Sequence, residues 1–300
     1  MAGQAERRDP HTTVKRELLV RYLDAWTSAV SRSHRSATYI ESALGGAAAD
    51  ALRVFGEFAD RLTGHQLDVV LVGAPAASLT PVLRELGEPP GVAVHSVNNS
   101  GDLAVEGPAL AHLDVVGESV LDEQAAWRLA AELARAKGRE VLLTVPPVTA
   151  EQVDDHRARL RSAGLSYVVA VELVDDQDEA QLLMFATSAR KHLATFKDEL
   201  WAVDEFAGVR YRDPSDDEGA LVDISLTPQL TPLRRMLLAE LARRGSCSVA
   251  ELQDHTLLRT VYRPADGMRV LQSAASAGSI TREPEKGRLT PRTVVGHAAG

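Results

Sequence analysis

One cysteine in 300 residues, Cys247, leaves the chain no internal disulfide and no multi-thiolate zinc or iron–sulfur site of its own. A reducing cytoplasm fits that usage. No apolar run approaches the length that crosses a bilayer, and the polar start MAGQAERRDPHTT lacks the apolar core of a secretory signal, so no membrane partner is expected. The phosphate loop GxxxxGK[ST], the zinc motif HExxH and the nucleophile elbow GxSxG are all missing. The nine histidines, among them His65, His95, His112, His156 and His192, show no paired ligand spacing. Each reads as a surface or hydrogen-bonded histidine.

What is present is alternation. After a flexible leader over 1–13, Leu18, Leu19, Tyr22, Leu23, Trp26 and Val30 form one stripe of an amphipathic helix over 14–30, with Thr12 or Thr13 as its cap. Short apolar runs then alternate with helical patterns: a strand over 37–43, a glycine break at Gly45 and Gly46, a helix over 47–62, the strand LDVVLVG ending at Gly73, and further strands near 91–97, 108–116, 140–145 and 165–174. Such alternation predicts an α/β, Rossmann-like domain over 14–212, with a largely parallel sheet and flanking helices. Ligands of such sheets bind beyond the carboxyl ends of the strands at the switch in strand order. That places the candidate site at Glu41 through Gly46, Gly73 through Ala76 and Asp114 through Glu118.

Gln181–Phe206 is the most informative stretch. Leu182, Leu183, Met184 and Phe185 read as a strand, Ser188 as an N-cap, and Leu193, Phe196, Leu200 and Val203 as the inner stripe of a covering helix. Arg190, Lys191, Lys197, Asp198 and Glu199 are expected off that stripe.

Charge divides the chain. The net charge of -9 argues against a surface that coats nucleic acid, yet residues from Leu226 onward carry about +5, leaving about -14 before them. An acidic, solvated linker over 213–226 separates the two parts. Over 227–300 three helices, the second capped by Ser248, precede a strand, a turn at Glu285-Lys286-Gly287 and a strand: the pattern of a winged helix. Arg259, Arg263, Arg269, Arg282, Lys286 and Arg288 lie on or near its third helix and wing, the surface such modules offer to DNA or RNA.

HTTVKRELLVRYLDAWTSAV and LLMFATSARKHLATFKDELWAVDEF, followed by that terminal module, resemble the three-Cys-motif partner family, with the blocks in matching order over nearly the whole chain. The resemblance implies a sheet similar to that of class I methyltransferases and a partner protein with a radical-SAM-like three-cysteine motif. It also implies cofactor-binding roles for Glu41, Gly45 and Gly46, to which the strand-end rule adds Gly73, and a catalytic or acceptor-orienting role for Asp114. The family's YIDGFAGPG is here YIESALGG, its acidic residue after the second strand has no counterpart, and its DPFG-like turn is DVVG. These departures favour a non-catalytic, degenerate partner or regulatory protein that acts with another protein and carries no cofactor. The alternative is a methyltransferase dependent on S-adenosylmethionine.

Overall fold

A computed structural model describes residues 9–42, 46–117, 119–204 and 208–298. In chain order its elements are α1 (Pro10–Ser33), β1 (Ser36–Glu41), α2 (Ala47–Glu57), β2 (Gln66–Val72), α3 (Thr80–Glu85), β3 (Val92–Val97), β4 (Ala109–Asp114) and α4 (Glu123–Leu133). β5 (Arg139–Val145), α5 (Ala150–Ala163), β6 (Tyr167–Asp175), β7 (Ala180–Thr187), α6 (Arg190–Leu200), β8 (Val209–Arg212) and β9 (Leu221–Asp223) follow. The last part holds α7 (Thr231–Arg244), β10 (Ser246–Ser248), α8 (Val249–Arg259), α9 (Pro264–Ser276), β11 (Ile280–Glu283) and β12 (Val294–His297).

Among the described residues one large sheet runs β3-β2-β1-β4-β5-β7-β6-β8-β9. β3, β2, β1, β4 and β5 are parallel, whereas β7 lies antiparallel between β5 and β6, and β8 and β9 extend the edge in antiparallel fashion. Strand residues alternate between faces, as the pleat demands. Tyr39, Val69, Leu71, Leu142, Leu183 and Phe185 join the core under α1, α2 and α6, while Ile40, Val70, Val141, Leu143, Leu182 and Met184 join the core under α4 and α5. Helices on both faces explain why these strands read as continuous apolar runs. Tyr22 of α1 packs edge-on to Phe185 and Phe196, whose rings stack at 4.2 Å, so the two most recognisable sequence blocks meet in one aromatic cluster.

Several expectations are corrected. α1 starts at Pro10, inside the expected leader, because the Asp9 carboxylate, not Thr12 or Thr13, accepts from the Thr12 backbone N–H at 2.9 Å and Pro10 is preset for a first turn. β1 ends at Glu41. Ser188 does not cap α6: Ala189 stands at the cap and Thr187 Oγ1 accepts its N–H. Lys197 is not off the inner stripe but fully buried. Part of 213–226 is packed, with Asp213 and Asp216 buried and β9 paired to the sheet edge. The apolar core is continuous through α6, Trp201 and Tyr262 into α7, α8 and α9.

The terminal residues form α7, α8 and α9 with a three-stranded antiparallel sheet in the order β10-β12-β11. Ser248 caps α8 as expected, in a reciprocal box with Glu251. No helix among the described residues is long and apolar enough to cross a membrane.

Candidate functional site

Strand order reverses between β1 and β4: β2 and β3 follow on one side, β5 on the other. The crevice beyond the carboxyl ends of these strands is therefore the place where an open α/β sheet takes ligand.

Register dictates what lines it. Glu41 stands beside His112 across the parallel β1–β4 pair, and Tyr39 and Asp114 lie two residues away on the same face. Tyr39 Oη donates to Glu41 Oε2 at 2.5 Å, and His112 Nδ1 lies 3.0 and 2.9 Å from the two carboxylate oxygens. Burial and the Glu41 carboxylate push the Tyr39 phenol well above its usual range. Burial drags the His112 imidazole down, but Glu41 and Asp114 outweigh it and the pKa is raised. Lys15 of α1 donates to Asp114 Oδ2 at 2.6 Å, while Asp114 Oδ1 accepts from the Val116 and Gly117 N–H groups at 3.1 and 3.2 Å. Burial pushes the Asp114 carboxyl up, yet Lys15, His112 and the Gly117 N–H prevail and hold it below the usual carboxylate range.

The result is a buried chain, Tyr39–Glu41–His112–Asp114–Lys15, neutral at Tyr39 and of alternating charge from Glu41 on, beneath the crevice. It fixes the ends of β1 and β4 to α1. Of the expected site residues, Glu41 and Asp114 are brought together by His112, with both carboxylates engaged by internal partners. Gly46 stands at the start of α2, which has no side-chain cap, and the Arg16 guanidinium lies 3.4 Å from where a Cβ would be. Arg16 itself donates to Asp50 at 2.7 Å. Gly45 and Glu118 lie outside the described residues.

Gly73 has φ +73°, and a Cβ there would meet Val120 at 2.9 Å. The turn after β4 thus folds back across the end of β2, held by a Val120 N–H that donates to Ser42 O at 3.4 Å. Val116 and Val120 remain 37% and 41% exposed at this lip, a small apolar edge beside buried charge.

The expected nucleic-acid contacts are dispersed. Arg263 turns onto Asp266 at 2.8 Å and onto the Leu226 carbonyl, Arg269 lies 3.6 Å from Asp266, and Arg282 donates to the Glu285 carbonyl. Lys286 and Arg288 are exposed between β11 and β12. Sequence reasoning missed Lys15, Arg16, His112 and Val120. Lys15 carried a signal: it falls on the stripe of Leu18, Leu19 and Tyr22, where a charge needs a partner.

Comparison with protein-family models and with curated proteins gives no match. Among solved structures the chain is similar to PigF with SAH (13% identity, 53% of this chain and 53% of that one, TM-score 0.34). It is also similar to an O-methyltransferase family protein from Burkholderia thailandensis (13%, 62% and 61%, TM-score 0.33) and to the N-methyltransferase NodS from Bradyrhizobium japonicum WM9 (12%, 61% and 99%, TM-score 0.32). The aligned part thus spans between half and two thirds of the first two chains. Methyltransferases recur among these neighbours, against the expectation of a non-catalytic partner, which is not carried further. Likeness at this level identifies no residue.

Proposed function

We propose that the chain is an S-adenosylmethionine-dependent methyltransferase whose cofactor lies in the crevice between β1 and β4. The observation that carries this reading is the switch in strand order with Gly46, Gly73 and Asp114 at its rim. A bound sulfonium cofactor supplies an already activated methyl group, so the protein's task is alignment and exclusion of water.

The residues fit that cofactor on one side only. At the start of α2 the glycine N-cap leaves backbone N–H groups free of a side-chain cap, suited to a carboxylate. After β2 the run Val72-Gly73-Ala74-Pro75 offers no carboxylate for ribose hydroxyls, and Val120 occupies the space over Gly73. Binding on this reading requires Val120 to leave Gly73. No proton transfer is assigned to Glu41 or Asp114, because their oxygens serve His112, Tyr39, Lys15 and the turn N–H groups.

Calorimetry with S-adenosylmethionine and its demethylated product tests the reading. The expected result is measurable heat at millimolar ligand and a several-fold tighter complex for Val120→Gly. Absence of heat for both proteins overturns it.

The resemblance to three-Cys-motif partners belongs to the same proposal, with a radical-SAM-like protein as the companion. A second reading concerns the terminal part: the order α7, β10, α8, α9, β11, β12, with β12 between β10 and β11, supports a winged helix. Exposed Lys286 and Arg288, without ion pairs among the described residues, are its candidate phosphate contacts. Salt-sensitive DNA or RNA binding weakened by Lys286→Gln with Arg288→Gln is the expected outcome; equal binding by the double variant contradicts it.

A further inference from the structure

A second polar constellation lies at the opposite end of the parallel strands. Glu140 is the second residue of β5 and Asp114 the last of β4; Asp114 pairs with Thr144, so the two sites are four residues apart along the strands, about 13 Å at the usual rise. Glu140 is 2% exposed, and three side chains converge on it. Tyr22 Oη donates to Oε2 at 2.5 Å, Thr187 Oγ1 donates to Oε1 at 3.2 Å, and His192 Nδ1 meets Oε1 in a short contact. A carboxylate so placed fixes the ring and tautomer of His192.

His192 is half-buried, and its Nδ1 is spent on Glu140. Its Nε2 has no partner among the described residues. The ring lines a cavity of about 240 Å³ between α1 and α6, shared with Tyr22, Asp24, Arg32, Lys191 and Thr195. The hydrogen bond that His192 donates to Glu140 raises its pKa, against burial and the nearby Lys191 ammonium. Arg32 is held by Ser28 through Nε and Nη2, and among the described residues neither its Nη1 nor exposed Lys191 has an ion pair. Three cationic groups thus border one small cavity that contains a single exposed acid, Asp24. Two of them, Lys191 and Arg32, have no ion pair among the described residues, and cations held together in this way are the arrangement that anions relieve.

We propose that this cavity binds a small phosphate-bearing ligand through His192 Nε2–H, Lys191 and Arg32, with Glu140 as the positioning residue for the imidazole. Drug-sized ligands occupy cavities of about 300–1,000 Å³, and the smaller volume here suits inorganic phosphate or a short phosphate monoester. The site is independent of the β1–β4 crevice. His192 lies in the sequence block that identifies the chain's resemblance, yet neither the apolar stripe nor the cofactor crevice uses it.

The experiment is an NMR titration of the histidine ring protons in the full chain, with His192→Asn identifying the His192 signal. Inorganic phosphate and glycerol 3-phosphate are the probes, and sodium chloride at matched ionic strength is the control. The expected result is a saturable, phosphate-dependent rise in the His192 midpoint that Lys191→Gln weakens at least several-fold. Saturation by inorganic phosphate alone assigns the free ion, and tighter saturation by the ester assigns the monoester. A midpoint that moves equally with chloride, fails to saturate, or responds unchanged in Lys191→Gln overturns the proposal and leaves His192–Glu140 a purely structural pair.

Discussion

A buried charge is tolerable only with a partner close enough to replace water, and the crevice residues obey that rule one by one. Glu41, fully buried, is answered by His112 and Tyr39, and Asp114 by Lys15. Removing one member leaves the other uncompensated. Glu41→Gln is therefore expected to cost about 3–5 kcal/mol, measured by urea unfolding. The pH dependence follows from direction. His112 has a raised pKa, so its contribution is full below the unfolded value and is lost as pH rises through the folded one. Asp114 has a lowered pKa, so its contribution is full above the unfolded value and is lost as pH falls through the folded one. Urea midpoints measured across pH should decline on both sides, and in Glu41→Gln the alkaline decline should flatten. None of these pairings could be read from spacing alone. Glu41 and His112 are 71 residues apart and meet only because β1 and β4 are neighbours in register.

Within single elements the apolar stripes were legible and the polar exceptions were not. Leu193, Phe196 and Leu200 are buried as their spacing implies, but Lys197 sits among them, four residues after Leu193 and three before Leu200. Its Nζ donates to four carbonyl oxygens at the end of α8 and just beyond it: Thr256 at 2.9 Å, Leu257 at 2.6 Å, Thr260 at 2.6 Å and Tyr262 at 2.8 Å. Helix carbonyls left open at a C-terminus attract a cation, and here the cation comes from another helix. Burial pulls the ammonium down to about 7, against Asp213 and Asp266. A neutral amine has only two N–H bonds for four acceptors, so the cage favours the charged form. Trp201 Nε1 donates to the Val261 carbonyl at 3.1 Å and Asp213 accepts the Val261 N–H at 2.8 Å, which completes a clasp between α6 and the α8–α9 connection. Lys197→Met should cost about 3 kcal/mol or more through unsatisfied carbonyls and should speed amide exchange around 256–262 more than in β1 or β4. Uniform acceleration would contradict a local clasp. The caps tell the same story. Ser248 was legible because its partner Glu251 is three residues away, whereas Asp9 was hidden in a polar start that reads as leader.

For the whole molecule, sequence alternation revealed the parallel strands and their helices, because burial on both sheet faces writes itself as short apolar runs. The antiparallel insertion of β7, the added β8 and β9, and the join between the sheet and the terminal helices were not legible, since they depend on pairings between distant segments. The acidic stretch after β8 illustrates the reason: Asp216 looks solvated in sequence but is buried against Arg235 of α7. The strand ends that rim the crevice follow from the general rule for open α/β sheets, while the contacts made there, Val120 over Gly73 and Lys15 on Asp114, were not legible. The central claim, cofactor binding in that crevice, is tested most directly by hydrogen–deuterium exchange with and without a saturating concentration of S-adenosylhomocysteine. The claim predicts slower exchange at the start of α2, around Gly46 to Asp50, together with altered exchange around Gly73 and Val120. Unchanged exchange at both places, or protection confined to a different part of the chain, would contradict it.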